Sequence, residues 1–149
     1  MSAGHSNIID GDENAIAELV RGARRVAVLG IKTEEQAGQA AYYVPAYLKR
    51  AGVEIVPVPV YYPDVKEILG APVYRKLTDI PGSIDVVDVF RRSPDVSAHL
   101  NDLLAARPKA VWLQSGIRDD GVAHVLAQAG ILVVQDRCLM VDHRRYAHA

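Results

Sequence analysis

From Arg25 to Gln135 the chain alternates between short, nearly continuous apolar runs and stretches whose apolar positions recur every three or four residues. The runs predict strands at Arg25–Leu29, Glu54–Val58, Asp85–Phe90, Ala110–Leu113 and Leu132–Gln135, with a weak one near Val73–Tyr74. Apolar runs this short, without a polar residue at every second place, suit strands covered on both faces. The intervening stretches predict helices. Asp12 caps the first, Glu13–Ala23, which puts Ile16, Leu19 and Val20 on one face. The second runs from Gly38 to Ala51 and ends at Gly52, with Val44, Tyr47 and Leu48 at core spacing. Pro45 within it argues that its regular part starts late, near Tyr42. A short helical piece is predicted at Val65–Leu69. A helix over Ser93–Ala106 has Ser93 as cap and Pro94 in first place. Another runs over Asp119–Ala129, with Asp119 and Asp120 favouring its dipole. Strands separated by helices imply an α/β fold, an open and mainly parallel sheet with helices on both faces in three layers. One domain over 1–149 is expected, with an N-terminal helix at about 12–23 and a core at about 25–143. There are no repeats and no internal linker.

In such a sheet a ligand sits beyond the carboxyl ends of the strands, where the strand order reverses. Here those ends carry Gly30, Ile31, Lys32 and Thr33; Val58 and Pro59; Phe90, Arg91 and Arg92; Gln114, Ser115 and Gly116; and Asp136, Arg137 and Cys138. Gly30 suits a strand that turns at once and lets other atoms approach its backbone. The helix that follows aims unpaired N–H groups toward the rim. Lys32, Arg91, Arg92 and Arg137 add positive charge suited to a phosphorylated ligand. A dinucleotide fingerprint is incomplete, because Lys32 and Glu35 occupy the places of its later glycines. An NAD site also wants a carboxylate at the end of the second strand, which reads Val58-Pro59-Val60-Tyr61; Glu54 lies at the opposite end. Tyr61 and Tyr62 are candidates for stacking on a base, or for packing as a lid.

Composition narrows the class. Half of the 149 residues are apolar and the formal net charge is −1, with Lys and Arg scattered, so nothing marks a nucleic-acid interface. No apolar run reaches the roughly 18–20 residues that span a bilayer, and the first residues lack the pattern of a signal peptide. A single cysteine, Cys138, excludes an internal disulfide and suits a reducing cytoplasm.

Several segments together resemble the small, free-standing bacterial CoA-binding proteins, which are similar to the CoA-binding domain of the succinyl-CoA synthetase alpha subunit. They are Tyr43-Val44-Pro45-Ala46-Tyr47-Leu48, Glu67-Ile68-Leu69-Gly70, Asp85-Val86-Val87-Asp88-Val89-Phe90-Arg91-Arg92, Val111-Trp112-Leu113-Gln114-Ser115-Gly116-Ile117 and Asp136-Arg137-Cys138-Leu139-Met140-Val141. The resemblance covers about Arg25 to His143. It implies a Rossmann-like fold holding coenzyme A, with the diphosphate at the loop after the first strand, the adenine near the end of the second, and the pantetheine running toward Phe90 and Gln114. Two stretches depart from the family pattern. The first loop, Glu34-Glu35-Gln36-Ala37-Gly38-Gln39-Ala40-Ala41, is longer and more acidic and lacks an arginine, and the second strand ends without the usual Asn-Pro.

Little else suggests chemistry. Ser115 lies in Gln-Ser-Gly, but Leu113 stands where a nucleophile elbow has its leading glycine. Cys138 beside Arg137 reads as a buried hydrophobe or as a thiol able to meet a ligand thiol. Asp88, inside an apolar strand, needs a partner, and a helix end, Arg91 or Arg137 is expected to supply it, a structural role preferred over that of a general base. His124 falls on a helix, and His143 and His148 in a tail, at spacings that make no metal site. The expectation is a CoA or acyl-CoA binding module, non-catalytic on its own, with Lys32, Thr33 and the N–H groups around Ile31 on phosphates, Arg91 and Arg92 adding charge, and the Gln114–Gly116 turn on the pantetheine. A homo-oligomer or a partner enzyme stays open. The alternative is an NAD(P)- or other nucleotide-dependent oxidoreductase, and a third reading is a structural or regulatory subunit.

Overall fold

A computed structural model describes residues 7–148. Its five-stranded sheet is parallel throughout: β1 (Arg25–Leu29), β2 (Glu54–Val58), β5 (Val86–Val89), β6 (Ala110–Leu113) and β7 (Leu132–Val134), in the order β2-β1-β5-β6-β7. The register aligns Val26 with Ile55 and Val86, Asp88 with Val28 and Trp112, and Val111 with Val133. Side chains alternate between two cores. Ala27, Leu29, Val56, Val87, Val89, Val111 and Val133 face one layer, with helices α3 (Leu100–Ala106) and α4 (Asp120–Gln128). Val26, Val28, Ile55, Val86, Trp112 and Val134 face the other, with α1 (Glu13–Gly22), α2 (Ala40–Arg50) and α5 (Leu139–Tyr146). The expected three-layer, Rossmann-like α/β architecture is the one found.

Local chemistry sets the element ends. Asp12 caps α1 by accepting from the Ala15 N–H at 3.1 Å, and Asp119 caps α4 by accepting from Val122 at 3.0 Å. Pro57 is tolerated because β2 is an edge strand; its carbonyl takes the Tyr74 N–H at 3.0 Å. On the other edge, Ile8 bridges Val133.

Five expectations change. Val65–Leu69 is not helical: Glu67–Ile68 (β3) and Ala71–Pro72 (β4) form a small antiparallel hairpin, turned by Leu69 and Gly70 at φ 53° and 75°. Accordingly, Val73–Tyr74 contributes one hydrogen bond to β2 and no strand of its own. The segment Ser93–His99 is 3₁₀ before α3 begins, and Ser93 is no cap, because its Oγ accepts the Arg118 N–H at 2.9 Å. Pro45 lies inside α2, which starts at Ala40 rather than late. Finally, the stretch holding His143 is not a tail but α5.

Candidate functional site

The strand order reverses between β1 and β5, so their carboxyl ends open the crevice that this topology offers a ligand. Gly30 makes the junction. Its φ is +87°, and a Cβ added there would lie 2.3 Å from the Phe90 carbonyl oxygen and 3.3 Å from Arg91 Cδ. The two strand ends touch at a place only glycine allows. Around it, Gly30, Lys32, Tyr61, Phe90, Arg91, Arg92 and Asp95 enclose a cavity of about 240 Å³. A second cavity of about 460 Å³ continues toward β6, against Gln39, Ala40 and Ala41 at the start of α2, Phe90 to Pro94, and Gly116 with Ile117. A third, of about 310 Å³, opens toward β2 and the hairpin, between Thr33, Glu34, Glu35, Tyr62, Val65, Glu67 and Ile68.

The cations differ in how free they are. Lys32 has no ion-pair partner among the described residues. The Arg91 side chain is 16% exposed; its Nε donates to His99 Nε2 at 3.2 Å and its guanidinium lies 5.6 Å from the Tyr61 ring centre. The contact with Arg91 lowers the Tyr61 hydroxyl pKa, while burial, followed by the charge of Arg91, lowers that of His99. A neutral His99 can accept from Arg91 and so orient it. Arg92 is 81% exposed and pairs with Asp95 at 3.0 Å. Arg75 donates to the Tyr61, Tyr62 and Val65 carbonyls and pins the loop after β2.

The backbone donors after β1 are partly spent. Pro45 cannot donate to the Ala41 carbonyl four residues back, and the Lys32 N–H takes that carbonyl at 3.1 Å. The Thr33 N–H and hydroxyl both go to Gln36 Oε1, at 3.1 and 2.6 Å. The first N–H groups of α2, at Ala40 and Ala41, have no partner within their helix and border the larger cavity. These two, with Pro94, Asp95 and Ile117, were missed in the sequence; Pro45 was the available signal, because it marks a helix start held by its neighbour.

Of the predicted site residues, Gly30, Lys32, Phe90, Arg91, Arg92 and Gly116 line the first two cavities, and Thr33 the third. The others do not meet there. Ile31, at 1% exposure, belongs to the core, and Val58 and Pro59 are buried. Gln114 Oε1 accepts the Leu139 N–H at 3.0 Å and so secures the start of α5. Ser115 is exposed, and Cys138 half-buried beside the α5 layer. Arg137 is engaged by two carboxylates, Glu13 at 2.6 Å and Asp142 at 2.7 Å, which raise its pKa further. Neither Arg91 nor Arg137 holds Asp88. Its carboxyl is fully buried, has no hydrogen-bond partner among the described residues, and burial pushes its pKa well up.

Known proteins share this chain's family and fold. A family model described as CoA binding domain matches residues 24–144. The uncharacterized protein YneT of Bacillus subtilis is 30% identical over 128 residues, which are 86% of this chain and 91% of that one. A Thermus thermophilus protein of solved structure is 38% identical, with a TM-score of 0.82 over 91% of this chain and 98% of its own. A hypothetical protein from Pyrococcus horikoshii is 27% identical, with a TM-score of 0.81 over 93% and 95%.

Proposed function

This chain belongs to the CoA-binding domain family, and on that premise we propose that it holds CoA or an acyl-CoA in the crevice between β1 and β5 and is not catalytic on its own. The observation that carries the reading is the Gly30–Phe90 junction, where a cavity bordered by Lys32, Arg91 and Arg92 shares Phe90, Arg91 and Arg92 with a larger, more apolar one. The diphosphate sits among these three cations and the first N–H groups of α2. The pantetheine arm follows Phe90, Pro94 and Ile117. A binding role is supported by the state of the residues able to do chemistry: among the described residues, neither the Ser115 hydroxyl nor the Cys138 thiol has a side-chain hydrogen-bond partner. An NAD(P)-dependent oxidoreductase is less well supported, because β2 ends in Val58 and Pro59, and Glu54 at its amino end pairs with Arg25.

Calorimetric titration with CoA tests this. Saturable binding is expected, weakened roughly tenfold by Lys32→Ala or Arg92→Ala, each removing one charge-assisted contact of about 1.5 kcal/mol. Absence of binding in a folded sample, or variants that bind as the parent does, would remove the site.

A further inference from the structure

The three cavities along the sheet rim change character from one end to the other. The middle one has Lys32 and Asp95 in its wall, the one toward β6 has Pro94 and Ile117, and Phe90, Arg91 and Arg92 border both. The one toward β2 meets Tyr62 and the carboxylates Glu34, Glu35 and Glu67, with no cation in its wall. None of these three carboxylates has an ion-pair partner among the described residues. Outside that wall, Arg75 donates to the carbonyls of the loop that carries Tyr62, Lys49 donates to the Leu69 carbonyl, and Lys66 precedes Glu67 at an exposed position.

A CoA-type ligand with its diphosphate in the middle cavity has to lay its two ends in the other two. The amide-and-methyl arm suits the side formed by Phe90, Pro94 and Ile117, with Gln39 and Ser93 as polar neighbours. The nucleoside therefore falls at the Tyr62 end, where an aromatic ring can meet the base and carboxylates can accept from ribose hydroxyls. A phosphate on the ribose would face three like charges there, with no cation in the cavity wall to meet it. We propose, resting on the CoA reading above, that this site selects a ligand whose ribose hydroxyls are both free: dephospho-CoA, lacking the 3′-phosphate, in preference to CoA.

The test titrates the full chain with dephospho-CoA, CoA and NAD at low salt. Dephospho-CoA is expected to bind at least about fivefold tighter than CoA, in line with a few like-charge contacts at partly solvated distances. The ratio should fall to within about twofold in the Glu34→Gln/Glu35→Gln/Glu67→Gln variant and shrink in 0.5 M salt. All three substitutions lie on exposed positions, and a thermal melt checks that the variant is folded. CoA binding as tightly as dephospho-CoA, or a preference that survives the triple substitution, overturns the selectivity and leaves CoA binding in place. If neither CoA-type ligand binds, or NAD binds tighter than both, the CoA reading falls and this inference with it.

Discussion

At Gly30 the chain turns with φ +87°, and a methyl group added there would stand 2.3 Å from the Phe90 carbonyl oxygen. Need for a glycine at the end of the first strand was legible from its place before a ligand-facing loop. The partner in the close approach was not, because Phe90 is sixty residues away and the contact exists only once β1 and β5 pair. The spent N–H of Lys32 was hidden for a similar reason: it answers a carbonyl freed by a proline on the next helix. Gly30→Ala should lose roughly 1–2 kcal/mol for the left-handed backbone and about 1–3 kcal/mol for overpacking. Urea unfolding reads that loss directly. A variant within about 0.5 kcal/mol of the parent would mean that the strand ends can move apart at little cost.

Elements defined by an apolar period were read well, and α5 shows where that method stops. Only Leu139, Asp142 and His143 of this helix are buried, and its closing residues His143, Arg144, Arg145 and Tyr146 have no apolar stripe. Besides Leu139, Met140 and Tyr146 against the core, what docks it is polar. Arg137, just before the helix, bonds Asp142 within it and Glu13 on α1; the Tyr146 hydroxyl donates to Glu13, and Arg21 Nε donates to the Tyr146 carbonyl at 3.0 Å. Hydrophobic periodicity cannot see such a clamp. The hairpin was missed for the opposite reason, since Val65, Ile68 and Leu69 have helical spacing while the left-handed pair Leu69-Gly70 forces a turn. The Asp142 side chain is 3% exposed, so Arg137→Met leaves a buried charge unpaired, at a cost of about 3–5 kcal/mol. Arg137→Met/Asp142→Leu should recover much of that loss, because the orphaned carboxylate goes too. Both measurements come from denaturant curves. A double variant no better than the single one would mean that Asp142 was never the problem. Arg92→Ala, 81% exposed and outside this clamp, should move CoA affinity while leaving the melting temperature within a degree or two.

For the molecule as a whole, the ionisable groups pull stability in opposite directions with pH. The Glu13 carboxyl is held down to about 2 by the hydrogen bonds of Arg137 and Tyr146. For Asp85 burial acts upward, but the backbone N–H groups of Arg24 and Arg25 together with Lys109 lower it overall. Such groups stabilise the fold above the ordinary carboxylate pKa, and that contribution is lost as pH falls through their depressed values. His99 and His143, both lowered first by burial, act with the same sign nearer neutrality. Asp88 has the reverse sign. It lies on the central strand between Val28 and Trp112, with both oxygens unpartnered, and burial raises its pKa well above 3.8. Its neutral form is the folded one, so its contribution is complete below pH 3.8 and is lost as pH rises toward the folded value. The steepest slope one group can impose is about 1.4 kcal/mol per pH unit, or roughly 3–5 °C of melting temperature in a chain of this size. Asp88→Asn keeps the shape and removes the titration. Melting curves of parent and variant from pH 4 to 9 should therefore diverge, the parent falling relative to the variant as pH rises, while both keep the same acid-side loss. Parallel curves across that range would mean that Asp88 is solvated or paired in solution, and that the apolar layer beneath the crevice admits water.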